Sequence, residues 1–281
     1  MIPGFLASSL RLVLAVPVEY LIVAGGGASG TTNQYNTTTP SRAAGGGGAG
    51  GLLQGTLQVD RGTSQSIIVG AGGASANNGS DSVFASLTAI GGGRGGSGRP
   101  NSGTGNNGVS GGSGGGGGST TGVGGAGIAG QGYRGGKWSA GSEYTGAGSG
   151  GGAGGEPTGL GATPGPGITS SISNTAVTYA RGGYVGDQRL GTSANTAPAG
   201  ANSAGAANTG EGGDGRYIYY TSGGGGTAYS SLAGFAGGSG IVILRYPLSY
   251  NLASATTGSP EYTATSEYHI YKFTGSGSIT L

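Results

Sequence analysis

The chain has 281 residues, of which 74 are glycine and none is cysteine, and only 8% of its residues are charged. The lack of cysteine excludes disulfides and thiolate metal sites. The formal net charge is +2, and the twelve basic residues are scattered singly, which excludes the dense cationic surface of a nucleic-acid-binding protein. The low charge also differs from classical disordered chains, which combine low hydrophobicity with high net charge.

Apolar runs bounded by glycine predict short β-strands at both ends of the chain. In chain order these runs cover residues 18–24, 52–59, 66–69, 82–90, 177–180, 216–220, 240–246, 268–273 and 278–281. Helical periodicity is confined to residues 6–15, so we expect an all-β fold with short strands in a sheet or sandwich. The longest apolar stretch, residues 12–24, contains Pro17 and Glu19 and is too short to cross a membrane, so no membrane insertion is expected.

Glycine dominates residues 91–240, in runs such as 114–118 and 223–226. Collagen is excluded because glycine does not recur at every third position. One interpretation is a flexible linker. The other is a bundle of polyglycine helices of the polyproline II type, with three residues per turn and N–H and C=O groups that pair between helices. We expect the bundle, because a structureless linker of about 150 residues is uncommon inside a compact chain.

Residues 25–30 (GGGASG) follow an apolar strand and match the dinucleotide-binding fingerprint. The fingerprint requires a helix to begin there and an acidic residue about 20 positions later. Residues 31–40 (TTNQYNTTTP) cannot form that helix, and the next acidic residue is Asp60. His269 is the only histidine, and the acids Asp187, Glu211 and Asp214 lack calcium-loop spacing. The sequence therefore predicts no enzyme, and no catalytic, cofactor-binding or metal-ligating residue.

Tyrosine is the strongest recognition signal in the chain. Tyr217, Tyr219, Tyr220 and Tyr229 cluster around the glycine run at 223–226. Tyrosine offers a rigid face with a polar tip, which suits the recognition of sugars or protein surfaces. The alternative, which we leave open, is that these side chains only pack against the rims of the glycine region.

Four segments in order resemble the glycine-rich domain of bacteriophage virion proteins, which occurs in tail fibres, adhesins and related appendages of marine and cyanobacterial phages. The segments are residues 18–27 (VEYLIVAGGG), 68–73 (IVGAGG), 79–92 (GSDSVFASLTAIGG) and 238–246 (GSGIVILRY). The resemblance covers roughly residues 18–246. It implies a structural or receptor-binding role in the virion and no enzymatic activity.

One departure concerns residues 268–281 (YHIYKFTGSGSITL). In similar proteins such a segment precedes the strand at residues 18–24, whereas here it comes last. The displaced strand can fold back onto its own domain or complete the sheet of another copy. The candidate assembly residues are Tyr268, Ile270, Phe273, Ile279 and Leu281.

The sequence thus predicts an N-terminal segment (1–17), a glycine-rich β domain (18–246) with a glycine-rich core at 91–240, and a C-terminal assembly segment (247–281). The expected function is that of an oligomeric phage tail-fibre or adhesin subunit in the virion. Its expected partners are further copies of the chain, other virion proteins and a host-surface glycan. The alternative is a self-assembling extracellular filament or a capsid-decoration protein with a purely structural role.

Overall fold

The structure is a computed structural model, and it describes residues 15–32, 42–98, 107–119, 121–137, 146–158, 163–185, 203–218 and 233–281. Within these residues the fold is all-β, as predicted, and contains no helix. The strands are β1 (Ala15–Val23), β2 (Arg42–Ala43), β3 (Leu52–Asp60), β4 (Ser64–Ile68), β5 (Ser82–Phe84), β6 (Leu87–Ala89), β7 (Ile168–Ser170), β8 (Val177–Tyr179), β9 (Tyr217–Ile218), β10 (Ile241–Pro247), β11 (Ala255–Thr257), β12 (Glu261–Ala264), β13 (Tyr268–Phe273) and β14 (Gly277–Thr280).

Two antiparallel five-stranded sheets form a β-sandwich. The strand order is β12-β13-β10-β1-β3 in the first sheet and β11-β14-β4-β5-β6 in the second. Successive side chains of a strand point to opposite faces, so alternate residues of both sheets meet in one core. Val18, Leu244 and Phe273 of the first sheet share this buried cluster with Phe84 and Ile279 of the second.

The opposite face of the first sheet is also covered. Leu21, Ile243 and Ile270 form a second buried cluster with Ile172 and Tyr179, which belong to the β7–β8 hairpin and its turn. Burial on both faces explains why residues 18–24 form a continuous apolar run instead of alternating with polar residues.

Glycine-rich segments extend from one end of the sandwich and form a bundle around a central segment, residues 44–51. The amides of the central segment donate to three neighbouring segments in turn, with a period of three residues. The donor–acceptor pairs are Gly45–Gly96, Gly48–Gly93 and Gly51–Ile90 with the first neighbour, Ala44–Arg216, Gly47–Gly213 and Gly50–Gly210 with the second, and Gly46–Gly148 and Ala49–Gly151 with the third. A period of three is that of a polyproline II helix, so we interpret these segments as polyglycine helices.

The carbonyl groups of the central segment accept hydrogen bonds from three further neighbours. The donor–acceptor pairs are Ala24–Gly51, Gly27–Gly48 and Gly30–Gly45 from the first, Ser113–Ala49, Gly116–Gly46 and Ser119–Ala43 from the second, and Gly183–Gly47 from the third. Six neighbours around one helix is hexagonal packing, and it satisfies the buried backbone groups. Such packing requires glycine, because a Cβ on Gly45, Gly46, Gly47 or Gly48 would overlap backbone atoms of a neighbour.

The bundle points away from the sandwich. Residues 24–31 continue directly from β1, residues 44–51 lead back into β3, and residues 233–240 enter β10. At about 3.1 Å per residue, the nine steps from Ala43 to Leu52 span about 28 Å. The bundle therefore has two ends, of which one adjoins the sandwich. We call the other the far end and define it by Ala43 and the residues around it.

The structure differs from the predicted strands in several places. The predicted strand at 82–90 is a tight hairpin, β5–β6, which turns at Ala85 with a φ of 54°. Strands β2, β7, β11 and β12 were not predicted. The bundle also includes residues 24–31 and 44–51, which precede the predicted glycine-rich core.

Candidate functional site

The far end of the bundle is closed by short contacts between segments that are distant in sequence. Strand β2 pairs with β9, so that Arg42 lies opposite Ile218 and Ala43 opposite Tyr217. Thr32 forms a parallel bridge with Gly98. Three small apolar side chains are buried together beneath these contacts, those of Ala43, Ala147 and Val185.

Several described segments end or resume at this far end. The described residues that precede a gap here are Thr32, Gly98, Ser119, Lys137, Val185 and Ile218, and those that follow one are Arg42, Asn107, Thr121, Gly146, Ser203 and Ala233. Hydrogen bonds between segments show how far along the bundle these residues lie. The Ser119 amide donates to Ala43, the Gly148 amide to Gly117, and the Ser29 amide to Phe235. The connections therefore begin and end on one face, opposite the sandwich.

Asp214 holds both ends of one such connection. Its carboxylate is buried and accepts hydrogen bonds from the Tyr184 amide at 2.9 Å, the Ser203 amide at 3.1 Å and the Ser203 hydroxyl at 2.9 Å. Burial raises the pKa of Asp214 above its ordinary value, and these hydrogen bonds oppose the shift. The base of the connection between residues 185 and 203 is thus fixed by one side chain.

Two arginines, Arg181 and Arg216, make side-chain contacts in the same region. Arg181 forms an ion pair with Glu211, and its guanidinium lies 4.8 Å from the centre of the Tyr184 ring. Burial lowers the pKa of Arg181, but Glu211, Tyr184 and Asp214 together raise it by more, so the net shift of the pKa is upward. Arg216 lies 4.0 Å from the centre of the Phe235 ring, a cation–π contact at the far end. The carboxylates of Glu211 and Asp214 therefore both accept hydrogen bonds from other residues of the chain, Arg181 and Ser203 among them.

Most of the predicted recognition tyrosines lie outside the described residues, namely Tyr219, Tyr220 and Tyr229. The backbone of Tyr217 lies in β9 at the far end of the bundle, paired with Ala43. The structure thus brings Tyr217 to the face on which the connection between residues 218 and 233 begins.

The candidate assembly residues pair within their own chain. β13, which holds Tyr268, Ile270 and Phe273, pairs with β10, and β14, which holds Ile279, pairs with β4. All are buried except Tyr268, which is half-buried beneath the Arg245 guanidinium, and Leu281 is buried in the sandwich core. This is the arrangement in which the C-terminal segment folds back onto its own domain. Exchange of the same strands between copies stays a prediction.

A shallow polar groove of about 440 Å³ lies between the open edge of β3 and the β7–β8 hairpin. On its lining, Arg245 donates through Nε and Nη2 to one carboxylate oxygen of Glu19, at 3.0 and 2.7 Å. Gln54, Thr56 and Ser171 add amide and hydroxyl groups. These groups can hydrogen-bond a polar ligand. The groove could not be predicted from the sequence, because its lining residues are far apart in the chain.

An aromatic cluster lies at the other edge of the first sheet. The hydroxyl of Tyr262 is 2.9 Å from Nδ1 of His269, and Nε2 of His269 is 3.1 Å from the carbonyl oxygen of Tyr250. The carbonyl can only accept, so Nε2 carries a proton, and in the neutral ring Nδ1 accepts from Tyr262. Both ring nitrogens are occupied, which makes His269 a packing residue of the sheet.

No group of three or more His, Asp or Glu side chains that could hold a metal ion occurs in the part of the chain that the structure describes. None of the described segments forms a helix that is long and apolar enough to cross a membrane.

Comparison with known proteins identifies the family of the chain. Neither the curated proteins nor the solved structures that were compared contain a match to the chain. A family model described as a glycine-rich domain matches residues 13–247, which extends from the residues just before β1 to the end of β10. The matched region contains the whole described bundle and most of the sandwich, and the chain belongs to this glycine-rich domain family.

Proposed function

We propose that the protein is a bacteriophage virion structural protein, most specifically an oligomeric tail-fibre or adhesin subunit whose bundle end contacts the host surface. The observation that carries this proposal is the placement of the connections. They begin and end at one face of a hydrogen-bonded bundle, and the sandwich occupies the opposite end. Recognition residues are commonly presented on loops held by a rigid scaffold.

The bundle is well suited to this task. Each helix of its centre is held by backbone hydrogen bonds that do not depend on side chains, so the connections can change in sequence without loss of the scaffold. The connection between residues 218 and 233 contains Tyr219, Tyr220 and Tyr229 and starts beside Tyr217. Tyrosines on such a face provide contact area and hydrogen bonds for a host-surface glycan.

Because the chain carries little charge, we expect it to bind a glycan by hydrogen bonding and stacking and not by electrostatic attraction. A single binding site of this kind is weak. Several copies on one particle raise the overall affinity because the later binding events are effectively intramolecular. The proposal therefore includes a homo-oligomer within the virion, with other virion proteins bound at the sandwich end.

A filament or capsid-decoration protein without a specific ligand is the second candidate. The observation that favours it is that β12 and β3 are open edges of the first sheet among the described residues. An open edge can pair with a strand of another chain.

The test is a glycan array of bacterial surface polysaccharides, probed with the full chain and with a variant in which residues 219–232 are replaced by a short Gly–Ser linker. The attachment role predicts glycan binding by the full chain and its loss in the variant, with an unchanged melting temperature. A control variant replaces residues 159–162, which lie between the paired Thr158 and Thr163, and should bind normally. If the full chain binds no glycan but assembles into particles or filaments, the structural role is correct instead.

A further inference from the structure

The outer hairpin of the bundle comprises residues 121–137, and one row of backbone groups in its residues 123–128 makes no hydrogen bond to any described residue. In residues 123–128 the amides again follow a period of three. Those of Gly125 and Ile128 donate to the carbonyl groups of Gly115 and Gly112 in the bundle. The next row, Val123 and Ala126, donates to side-chain oxygens instead, those of Asn107 and Ser110.

The third row is formed by Gly124 and Gly127. Neither the N–H nor the C=O of these two glycines makes a hydrogen bond within the part of the chain that the structure describes. By contrast, every amide from Ala44 to Leu52 in the central segment is paired. Gly124 and Gly127 therefore present a donor and an acceptor each, at the outer surface of the bundle.

Exposed apolar side chains accompany this row. Val123 is 53% exposed, Tyr133 is 49% exposed and Ile128 is also exposed. All three belong to the same hairpin, whereas most of the large apolar side chains that the structure describes are buried. Apolar groups beside unpaired backbone groups are typical of a surface that is covered in an assembly.

We infer that this hairpin surface binds a second copy of the same chain, by adding one bundle laterally to another. The spacing of the unpaired groups selects the partner. Three residues of polyproline II helix advance about 9.3 Å, whereas two residues of a β-strand advance about 6.7 Å, so a strand falls out of register with the row. Another polyglycine helix matches it, and the outer surface of a second bundle offers such a helix.

The two kinds of free group face different directions, as at Gly45, whose N–H donates to Gly96 while its C=O accepts from Gly30. Two copies can therefore pair when the free N–H groups of one meet the free C=O groups of the other, which is a heterologous contact. This interface is separate from strand exchange by the C-terminal segment, and it does not depend on the role of the far end in host attachment.

The test compares Val123→Glu with Ile68→Glu. Ile68 is 47% exposed on β4, outside the bundle, so it is a matched control for the loss of an exposed apolar side chain. Analytical ultracentrifugation between about 1 and about 200 µM should show self-association of the wild type, an at least tenfold weaker association of Val123→Glu, and wild-type behaviour of Ile68→Glu. Melting temperatures of both variants at low concentration should equal that of the wild type.

Hydrogen exchange gives a second readout that does not require a variant. The amides of Gly124 and Gly127 should be protected at least tenfold more at the high concentration than at the low one. A wild type that stays monomeric to about 200 µM overturns the inference, as do equal effects of the two substitutions or exchange at these amides that does not change with concentration. Glycan binding by the monomer would leave the proposed attachment role intact in each of these cases.

Discussion

The carbonyl oxygen of Gly27 lies so close to the position of a Cβ on Gly47 that the two atoms would overlap. Gly47 also donates to Gly213 at 2.8 Å and accepts from Gly183 at 2.9 Å, so its backbone is in contact with three neighbouring segments. The requirement for glycine at this position is therefore steric. It follows from the distance between packed helices and not from an unusual backbone angle.

Gly47→Ala should destabilise the protein strongly, because its methyl group can be accommodated only if one of the central helices moves. We expect a loss of about 3 kcal/mol or more, which for a chain of this size lowers the melting temperature by roughly 6–12 °C. Gly146→Ala is the matched control, since a Cβ there meets no atom within 4 Å. Equal melting temperatures for the two variants would contradict the packing described.

Ser82 joins the sandwich to the bundle. Its buried hydroxyl donates to the carbonyl oxygen of Val23 at 2.8 Å and accepts from the Gly70 amide at 2.8 Å. Ser82→Ala leaves both groups without this partner, and we expect a loss of about 2–3 kcal/mol in urea unfolding. The exposed Ser278 hydroxyl, paired with Thr257 at 2.9 Å, provides the control: Ser278→Ala should change stability by less than about 0.5 kcal/mol.

A substitution of Phe273 tests whether the C-terminal segment folds onto its own chain. Its ring is completely buried in the sandwich core, so Phe273→Ala should reduce the free energy of unfolding by about 3–5 kcal/mol. The same decrease is expected at about 1 µM and at higher concentration, because β13 pairs with β10 of the same chain. Leu252→Ala, at a mostly exposed residue of the same segment, should have little effect.

Melting temperatures of Val123→Glu on dilution complete that test, because this variant lacks the proposed contact between bundles. If Val123→Glu loses stability as it is diluted to about 1 µM, β13 and β14 come from another copy and the intrachain pairing is wrong.

The burial of Asp214 predicts that the stability of the folded protein depends on pH. Burial raises its pKa in the folded state, so the folded chain holds the proton more tightly than the unfolded chain does. The stability contributed by this shift is fully present below the unfolded pKa and is lost as pH rises through the folded pKa. Relative to Asp214→Asn, the wild type should therefore become less stable as pH rises across this window.

The measurement for Asp214 is the difference in unfolding free energy between the two proteins as a function of pH. The Asn variant also loses an acceptor for Ser203, which adds a constant offset of about 1 kcal/mol. A difference that grows in favour of the wild type as pH rises would show that the folded pKa is lowered instead.

Sequence patterns predicted the sandwich strands where burial is strong. β1, β10 and β13 are apolar runs stopped by glycine or proline, and the structure places strands at each. β12 was missed because all its residues are exposed, so its sequence, EYTA, carries no alternation. The hairpin turn at Ala85 was missed because no glycine or asparagine marks its positive φ.

The arrangement of the glycine segments could be anticipated only in part. Glycine content and the three-residue period of an extended helix predict that such segments can pair. Which segment lies at the centre depends on contacts between residues far apart in sequence, such as Gly47 with Gly213. The position of the Glu19–Arg245 groove was unpredictable for the same reason.

The most direct test of the bundle is amide hydrogen exchange of the monomeric protein, followed residue by residue. We expect the amides from Gly45 to Gly51 to be among the slowest to exchange, although they lie in no β-strand, and those of Gly124 and Gly127 to exchange rapidly. Exchange of the amides from Gly45 to Gly51 at the rate of an unfolded chain would contradict a hydrogen-bonded bundle of glycine helices.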